Sequence, residues 1–538
     1  MRLSCAGFAG VAALAAAATH QPAVGSRADR VNNVAIIGAG AAGASAAYHL
    51  QRYAALEGVP VNITILEKTE HVGGRSVTVN IYDDPALPVE QGASIFVAVN
   101  HILYNATERF GLPRSSLRDD EPDDITAIWD GDDIVWQSAA GSSWWWDAAR
   151  MWWRYGLAPY RAVRLVNDVV ATFLRLYEEP HFPFRSLTQR AFELGLHKVT
   201  AVTGEQFLAE KNVGGGFASN IMQAATRVNY ASNLAHIHGL EAMVSFAAEG
   251  AMSVAGGNWR IFDKMVLASG AAVLRNATVA SIAFAKGGGD DDDAQKYVVS
   301  TRDTGEPSAE ARELPTAFDN VIIASPWQFS SIDAAKGVLK HRIDEIPYMK
   351  LHVTLFASPF KLRAEHFKLK PGSRAPSNVY TTLAPGEDAG QGPDGVGRTG
   401  FYSISTLRRV VNPKTRRREY VYKIFSASAV TPAFLSSILG ARVPDTFVGP
   451  SSEAAVEAIS WFRPHWFHSY PVELPRVTFQ DPVVGRGLYY TSGVESFIST
   501  METSALMGMN VARLIADDVA GKRRPEAEGE KTDAQDEL

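Results

Sequence analysis

Cysteine is almost absent from this chain. Only Cys5 occurs among 538 residues, and it lies in an apolar leader. Once that leader is removed the chain has no thiol, which excludes disulfides, thiolate-bound metals and cysteine nucleophiles together. A fold without disulfides must rely on a large apolar core, which this length permits, and 46% of the residues are hydrophobic.

Basic patches and long apolar runs are scarce as well. The net charge is −6 and no long lysine- and arginine-rich run occurs, so nucleic acid is not an expected partner. After the first 20 residues, no run reaches the roughly 20 apolar residues that a membrane-spanning helix needs. The acidic run 287–293 lacks the ligand spacing of a calcium loop, so we predict a solvated hairpin tip and no metal site.

Both ends of the chain predict a route through the secretory pathway. Residues 1–20 place Arg2 before a short Ala-rich run and small residues, which is typical of a cleaved signal peptide; a retained anchor helix is the alternative. The tail 521–538 is charged, so we predict disorder, and its Q-D-E-L ending is similar to the K-D-E-L retrieval signal. We therefore expect the ER lumen, or, if that ending is accidental, a lysosome, a vacuole or secretion. Sequons predict glycosylation at Asn62, Asn105 and Asn276.

Residues 34–67 carry the strongest local pattern. An apolar run, 34–37, predicts a buried parallel strand, and G-x-G-x-x-G follows at Gly38, Gly40 and Gly43. These glycines permit a tight turn, close approach of a pyrophosphate and close helix packing, while the helix N-terminus faces the phosphates. An Ala-rich helix and a second strand lead to Glu67, a predicted acceptor for ribose hydroxyls. The alternative is a glycine-rich turn that merely packs well.

The residues after this unit select the cofactor. Glu67 is followed by Lys68, a short spacer, and then Gly73, Gly74 and Arg75. An acid, a spacer and G-G-R resemble the extended fingerprint of FAD-dependent amine oxidases and their relatives. That resemblance implies a backbone passing close to the diphosphate, supported by the arginine. It favours FAD over a nicotinamide cofactor.

The same pattern places later segments beside the flavin. The pattern implies three groups of cofactor contacts. A Gly-rich segment contributes Gly92, Ala93 and Ser94, and a strand beside the adenine contributes Val279. The turn after the final strand and the start of the following helix contribute Gly493, Glu495, Met501 and Glu502. The acid is expected to bind ribityl hydroxyls, and the helix N-terminus to favour negative charge on the reduced ring.

Residues 142–177 are rich in aromatic and basic side chains. Trp144, Trp145, Trp146, Trp152 and Trp153 occur together, with five arginines interspersed up to residue 175. In the later half of this stretch, apolar residues recur at the spacing of a helix, at Val163, Val166, Val170 and Leu174. One interpretation is a helical subdomain packed on the core. The other is an aromatic surface for a long apolar substrate or a peripheral membrane contact.

The complete set of motifs resembles the prenylcysteine oxidase family, also called prenylcysteine lyase. The matching stretches are GAGAAG, VGGR, RVNY, GGNW, VYKIFS, the run around Tyr470 and YYTSGVESFISTMETSALMGMNVA, between about residues 32 and 516. The resemblance implies FAD, O2 and a farnesyl- or geranylgeranyl-cysteine substrate, with Arg227, Tyr230 and Tyr470 as substrate contacts. It implies hydride transfer from the carbon beside sulfur, followed by hydrolysis to an aldehyde and cysteine, with H2O2 formed from O2. No catalytic side chain is assigned.

The expected fold is α/β, with a Rossmann-like FAD-binding domain of the amine-oxidase type and an interleaved α+β substrate domain. The predicted boundaries after the leader are 32–110, 251–335 and 481–520 for the FAD-binding parts, 111–250 for a helical substrate region and 336–480 for the substrate-domain sheet. Two other functions remain open: a flavin amine oxidase of the same fold, and a non-catalytic prenyl-binding flavoprotein.

Overall fold

Two large sheets organise the chain, a six-stranded sheet that is mostly parallel and a seven-stranded sheet that is mostly antiparallel. The structure is a computed structural model that describes residues 30–116, 124–138, 144–286, 295–306, 308–388, 390, 392–449 and 457–522. The predicted signal peptide, the acidic tip at 287–293 and nearly all of the predicted tail lie outside the described residues.

The strands are, in chain order, β1 (Asn32–Ile37), β2 (Val61–Leu66), β3 (Thr78–Asn80), β4 (Pro88–Glu90), β5 (Arg114–Ser116), β6 (Thr126–Trp129), β7 (Ile134–Gln137), β8 (Met252–Val254), β9 (Ala272–Leu274), β10 (Ala277–Phe284), β11 (Tyr297–Asp303), β12 (Arg312–Glu313), β13 (Asn320–Ile323), β14 (Asp333–Ala334), β15 (Tyr348–Ser358), β16 (Asn378–Thr381), β17 (Ser403–Val411), β18 (Arg418–Ser426), β19 (Trp461–Pro471), β20 (Val483–Gly485) and β21 (Leu488–Tyr490).

The α-helices are, in chain order, α1 (Ala41–Glu57), α2 (His101–Arg109), α3 (Trp144–Tyr155), α4 (Ala158–Leu174), α5 (Leu187–Glu193), α6 (His197–Thr200), α7 (Gly204–Glu210), α8 (Gln223–Tyr230), α9 (Gly239–Phe246), α10 (Trp259–Ser269), α11 (Pro432–Leu439) and α12 (Met501–Val519). Among the helices of the described residues, none combines the length and apolarity needed to cross a bilayer.

The parallel sheet has the order β20-β21-β13-β1-β2-β9. Its strands come from three separate parts of the chain, because β1 pairs in parallel with both β2 and β13, and β13 pairs in parallel with β21. This is the Rossmann-like arrangement that the glycine motif predicts, in which the carboxyl ends of parallel strands form a ligand-binding edge. The predicted α/β fold with a Rossmann-like domain is confirmed.

Alternation along β1 explains the layers around this sheet. Val34 and Ile36 join the core cluster that contains helices α1, α10 and α12. Ala35 and Ile37 join a second cluster with the small sheet β12-β11-β10-β14. Successive side chains of a strand point to opposite faces, so one strand anchors both layers. The sheet is thereby buried on both sides, as parallel sheets usually are.

The second sheet has the order β19-β15-β18-β17-β16-β6-β7, and α11 packs on one of its apolar clusters. Alternating apolar residues at 351–356 and 421–425 predict two strands, and β15 and β18 confirm them. The acidic composition of residues 119–133 predicts a solvated loop, but this expectation is wrong, because Thr126–Trp129 forms β6 and pairs in parallel with β16. Residues 111–250 are therefore not only helical, since β6 and β7 belong to the substrate-domain sheet.

Candidate functional site

The glycine turn after β1 packs so closely on α1 that Gly43 has no room for a side chain. A Cβ on Gly43 would lie 1.9 Å from the carbonyl oxygen of Gly38, so α1 packs directly on the turn. Gly38 has φ +104°, a backbone conformation that glycine adopts without strain. Gly40 precedes α1, and no side chain caps this helix. The helix therefore presents free N–H groups and its positive end to the turn.

The second glycine pair faces the first. A Cβ on Gly74 would lie 3.1 Å from the Cα of Gly40, and Gly73 N donates to the carbonyl of Ala39 over 3.0 Å. Two glycine-rich backbone segments thus approach each other at the N-terminus of α1. We call these residues, Gly38–Gly40 with Gly73 and Gly74, the glycine cradle. A dinucleotide pyrophosphate fits such a cradle because its glycines let the phosphates approach the backbone closely.

Glu67 lies at the end of β2, beside the cradle. Its carboxylate accepts hydrogen bonds from Ala39 N and from the N and Oγ1 atoms of Thr69, each over 2.8 Å. A carboxylate offers about four acceptor positions, so capacity remains for a ribose hydroxyl. Lys68 is exposed next to it. Ala277 N donates to the carbonyl of Glu67, which sets β10 and the buried Val279 on this same adenosine-side edge.

Arg75 joins the cradle to the last segment of the chain. Its guanidinium lies 2.7 Å from a carboxylate oxygen of Glu495 and donates to the carbonyl of Ser469 over 2.7 Å. The same Glu495 oxygen accepts from the hydroxyl of Tyr348. Burial, with the neighbouring Glu495 charge, raises the pKa of Tyr348 well above its usual range, so this hydroxyl stays a donor. The structure thereby brings together two predicted site residues that are 420 positions apart in sequence.

Gly493 and Met501, the other predicted contacts in the last segment of the chain before and at the start of α12, have different roles. A Cβ on Gly493 would lie 2.7 Å from the carbonyl oxygen of Gln480, so that glycine serves a close approach of two backbones. The sulfur of Met501 accepts from the hydroxyl of Ser76, next to Arg75. Met501 therefore lies at the junction with the cradle segment, whereas Gly493 packs against Gln480.

Glu502 accepts hydrogen bonds from other parts of the protein, and its role as a cofactor contact stays a prediction. Its two carboxylate oxygens accept from Ile102 N (2.8 Å), Leu103 N (3.0 Å) and the hydroxyl of Tyr177 (2.9 Å). It therefore caps the start of α2, where the first N–H groups lack partners within the helix. Burial raises its pKa to about 7.

The loop after β4 is held in place by the substrate-domain sheet. A Cβ on Gly92 would lie 1.8 Å from the carbonyl of Arg75, which also accepts from Ala93 N over 2.9 Å. Lys423 Nζ donates to Ser94 Oγ over 2.7 Å and to the carbonyl of Glu90 over 2.9 Å. Burial lowers the pKa of Lys423. The loop predicted to pass the flavin is thus fixed from both domains.

The sequence analysis did not identify two residues that support this loop, Lys423 and Asn258. Lys423 stands inside the apolar strand β18, and a lysine in such a run is the signal that would have identified it. Asn258, from the GGNW motif, donates from its N to Glu90 Oε1 over 2.6 Å and from Nδ2 to the carbonyl of Ala93 over 3.2 Å. Burial raises the pKa of Glu90.

Arg227 is structural, which corrects its prediction as a substrate contact. Its side chain is fully buried and makes five donor contacts. The acceptors are Thr381 Oγ1, Asn233 Oδ1, the carbonyls of Gly395 and Val396, and Thr399 Oγ1, at 2.7–3.1 Å. A guanidinium has five N–H donors. None remains for a substrate carboxylate.

Tyr230 and Tyr470 meet beside the cradle. Their rings pack edge to face with centroids 5.3 Å apart, and both side chains are largely buried. Burial and the neighbouring Glu241 raise the pKa of Tyr230. The predicted substrate contacts Tyr230 and Tyr470 therefore form one aromatic wall, although α8 and β19 are far apart in sequence.

A buried group of titratable side chains backs this wall. Glu241 accepts from Ser499 N over 3.1 Å, and burial raises its pKa to about 8. His238 Nδ1 accepts from Glu241 N, so its Nε2 carries the proton and points to a carboxylate oxygen of Glu473 3.3 Å away. Burial lowers the pKa of His238 to about 4 and raises that of Glu473. Burial thus favours the neutral form of each of these three side chains.

The described residues contain no group of three or more His, Cys, Asp or Glu side chains arranged to hold a metal ion. The three sequon asparagines, Asn62, Asn105 and Asn276, are all exposed. Their glycosylation stays a prediction.

Comparisons with known proteins agree with this geometry. A family model described as prenylcysteine lyase matches residues 139–526, and one described as an NAD(P)-binding Rossmann-like domain matches residues 36–109. The chain is 27% identical to farnesylcysteine lyase of Arabidopsis thaliana, over 90% of this chain and 88% of that protein. It is 26% identical to prenylcysteine oxidase 1 of Bos taurus, over 89% of this chain and 87% of that protein.

Solved structures show the fold alone. Cyclohexylamine oxidase of Brevibacterium oxydans superposes with a TM-score of 0.52 at 16% identity, over 91% of this chain and all of that one. A putrescine oxidase with bound putrescine superposes with a TM-score of 0.51 at 13% identity, over 90% of this chain and 99% of that one. The glycine cradle, Glu67 and Arg75 fit FAD, and FAD is the cofactor, as predicted. With a family match over most of its length, the chain belongs to the prenylcysteine lyase family.

Proposed function

We propose that this protein is an FAD-dependent thioether oxidase that cleaves prenylcysteine in the breakdown of prenylated proteins. The balanced reaction converts a farnesyl- or geranylgeranyl-cysteine, O2 and water into a prenyl aldehyde, cysteine and H2O2. The observation that carries the proposal is the family match over residues 139–526, together with relatives named for this substrate over about nine tenths of the chain.

When bound, FAD supplies the hydride acceptor for the prenyl carbon beside sulfur and returns the electrons to O2. The residues of the chain hold and orient the cofactor and the substrate. The glycine cradle would hold the pyrophosphate, and Glu67 the adenosine ribose. Arg75 and Glu495 fix the cradle to the last segment, and Lys423 fixes the loop at Ser94 from the other domain.

The substrate side of the proposal rests on the aromatic wall. Tyr230 and Tyr470 offer apolar ring faces against which a prenyl group can exclude water. Glu241, held protonated near neutral pH by burial, lies beside the Tyr230 hydroxyl. No protein nucleophile is required, which agrees with a chain whose only cysteine is Cys5.

A substrate panel tests the proposed reaction. Peroxide production is measured with farnesylcysteine, its N-acetyl form, a shorter S-alkyl cysteine and an aromatic amine. We expect turnover of the first two, because nitrogen takes no part in the oxidation. Loss of one five-carbon isoprene unit should lower kcat/KM by a hundredfold or more if the chain is enclosed, at about 0.8 kcal/mol per CH₂. Turnover of the amine alone would instead support an amine oxidase, and no peroxide at all a prenyl-binding flavoprotein.

We infer further that the protein works in the lumen of the secretory pathway. The leader 1–20 and the last four residues, Gln535, Asp536, Glu537 and Leu538, support this location. Deletion of the four residues should move the protein from the ER to the medium or a vacuole. An unchanged distribution would contradict retrieval by this ending.

A further inference from the structure

The junction of α3 and α4 exposes large apolar side chains at high density. Trp152 is 61% exposed, Trp153 86%, Leu157 55% and Tyr160 66%, and Val163 is exposed as well. Other large apolar side chains that the structure describes as exposed are spread over the rest of the chain. A concentrated apolar patch on a protein surface marks an interaction site. We call these five residues the junction patch.

The opposite side of α4 is already occupied, so the patch is not a displaced piece of core. Ala162, Val166, Val169 and Phe173 are buried at helical spacing and face the protein interior. Because these residues take the inner stripe, Tyr160 and Val163 must point outward. Helix α4 therefore buries its inner stripe, while Tyr160 and Val163 remain exposed on its outward side.

The charge around the patch is predominantly positive. Helices α3 and α4 together contain four arginines and two aspartates, in a chain whose net charge is −6. Arg154, Arg161 and Arg164 are exposed. Their long side chains can lie along an apolar surface while the guanidinium groups stay in a polar layer. The complementary partner is an apolar surface that carries negative charge.

A cavity opens between α3 and β7. Its volume is about 680 Å³, and its lining includes the apolar side chains of Ile134, Trp136 and Trp153 together with Arg150 and Arg154. An apolar wall combined with guanidinium groups suits an anionic amphiphile. The cavity and the junction patch thus both suit a partner that is apolar and negatively charged.

We propose that the α3–α4 junction docks the protein onto an anionic lipid bilayer. Trp152, Trp153, Leu157 and Tyr160 would enter the interfacial region, where tryptophan and tyrosine are favoured. The arginines would pair with anionic headgroups. On its inner side α4 carries Phe173, whose ring centroid lies 6.4 Å from that of Phe497 in the last segment of the site. Helix α4 therefore connects the docked surface to the last segment of the site, on the side of a bilayer in which a prenyl group dissolves.

The test is co-sedimentation of the full chain with vesicles of phosphatidylcholine alone and of phosphatidylcholine with phosphatidylserine. We expect binding to the anionic vesicles that weakens as salt rises. The double variant Trp152→Ser/Trp153→Ser should bind roughly tenfold or more weakly. Arg161→Gln/Arg164→Gln should lose about fivefold for each arginine. The matched controls are Leu56→Ser, at an exposed position on α1, and Arg416→Gln/Arg417→Gln, both exposed at the β17–β18 turn; they should bind as the unchanged protein does.

Three results would overturn the proposal. They are no binding of the unchanged protein to anionic vesicles, equal loss of binding in the control variants, and dissociation of a dimer by the tryptophan variant in the absence of vesicles. The last result would assign the patch to a second copy of the chain. Vesicle binding does not depend on the chemistry of the site, so this proposal and the proposed reaction can fail separately.

Discussion

Gly40→Asp should leave the protein folded and without flavin. Gly40 has an ordinary φ of −77°, and a Cβ there would meet only the Cα of Gly74, at 3.8 Å. The apoprotein therefore tolerates a side chain at this position. A carboxylate would fill the glycine cradle and face the pyrophosphate at the N-terminus of α1. Like charges placed in contact cost several kcal/mol, so the affinity for FAD should fall by a hundredfold or more.

The measurement is flavin absorbance per protein after purification, together with the thermal unfolding temperature. Gly40→Ala is the matched control, because it adds the Cβ without the charge and should lose less flavin. Gly43→Ala is the contrasting variant, since its Cβ would lie 1.9 Å from the Gly38 oxygen and should destabilise the fold itself. Full flavin occupancy in Gly40→Asp would remove the cradle from the cofactor site.

Arg227→Met should destabilise the protein by about 3–5 kcal/mol. The guanidinium is buried, donates to five acceptors and stacks 5.3 Å from the ring of Tyr402. Although burial lowers its pKa to about 10, it is charged at neutral pH. Methionine fills the volume but removes five hydrogen bonds, three of which hold residues 395–399 to α8. The expected result is a large fall in the unfolding temperature, with flavin lost only as the protein unfolds.

Arg227→Lys distinguishes this structural role from substrate binding. Lysine keeps the charge but offers three donors in place of five, so it too should lower the unfolding temperature. The exposed Arg417 gives the control, since Arg417→Met should be neutral. An Arg227→Lys protein with unchanged unfolding temperature and a raised KM for prenylcysteine would restore Arg227 as a substrate contact.

The cofactor half of the site was predictable from the sequence because its determinants are local. Gly38, Gly40, Gly43 and Glu67 act through a turn and one adjacent strand, and their spacing alone defines the unit. The structure brings them together with Gly74 in one cradle. Strand β1 was equally clear, since an apolar run bounded by a glycine turn predicts a buried parallel strand.

Residues whose partners are distant in sequence could not be assigned in this way. Glu502 belongs to a motif that resembles a flavin contact, but the sequence did not show that it also caps α2, where it accepts from Ile102 N and Leu103 N about 400 positions earlier. Arg227 has the chemistry of a carboxylate ligand, but residues 395–399 supply its acceptors. Motif and residue type define what a side chain can bind, whereas packing decides what it does bind.

Local composition led to a wrong prediction at β6, whereas at Lys423 it carried a signal that was not used. The acidic residues around β6 suggested a loop, but Ile128 is buried and pairs across to Tyr380 of β16, so tertiary pairing overrides the local pattern. Lys423 interrupts the apolar strand β18, and a charged residue in such a strand needs a buried partner. Those partners are Ser94 and the carbonyl of Glu90.

Anaerobic mixing of the flavin-loaded protein with farnesylcysteine tests the central claim most directly. The account predicts that the oxidised flavin absorbance disappears in one step, that a prenyl aldehyde and free cysteine are released in equal amounts, and that admission of O2 restores the absorbance with H2O2. N-acetylfarnesylcysteine should reduce the flavin as well, since nitrogen is not oxidised. A flavin that stays oxidised with farnesylcysteine, while an amine reduces it, would contradict thioether oxidation at this site.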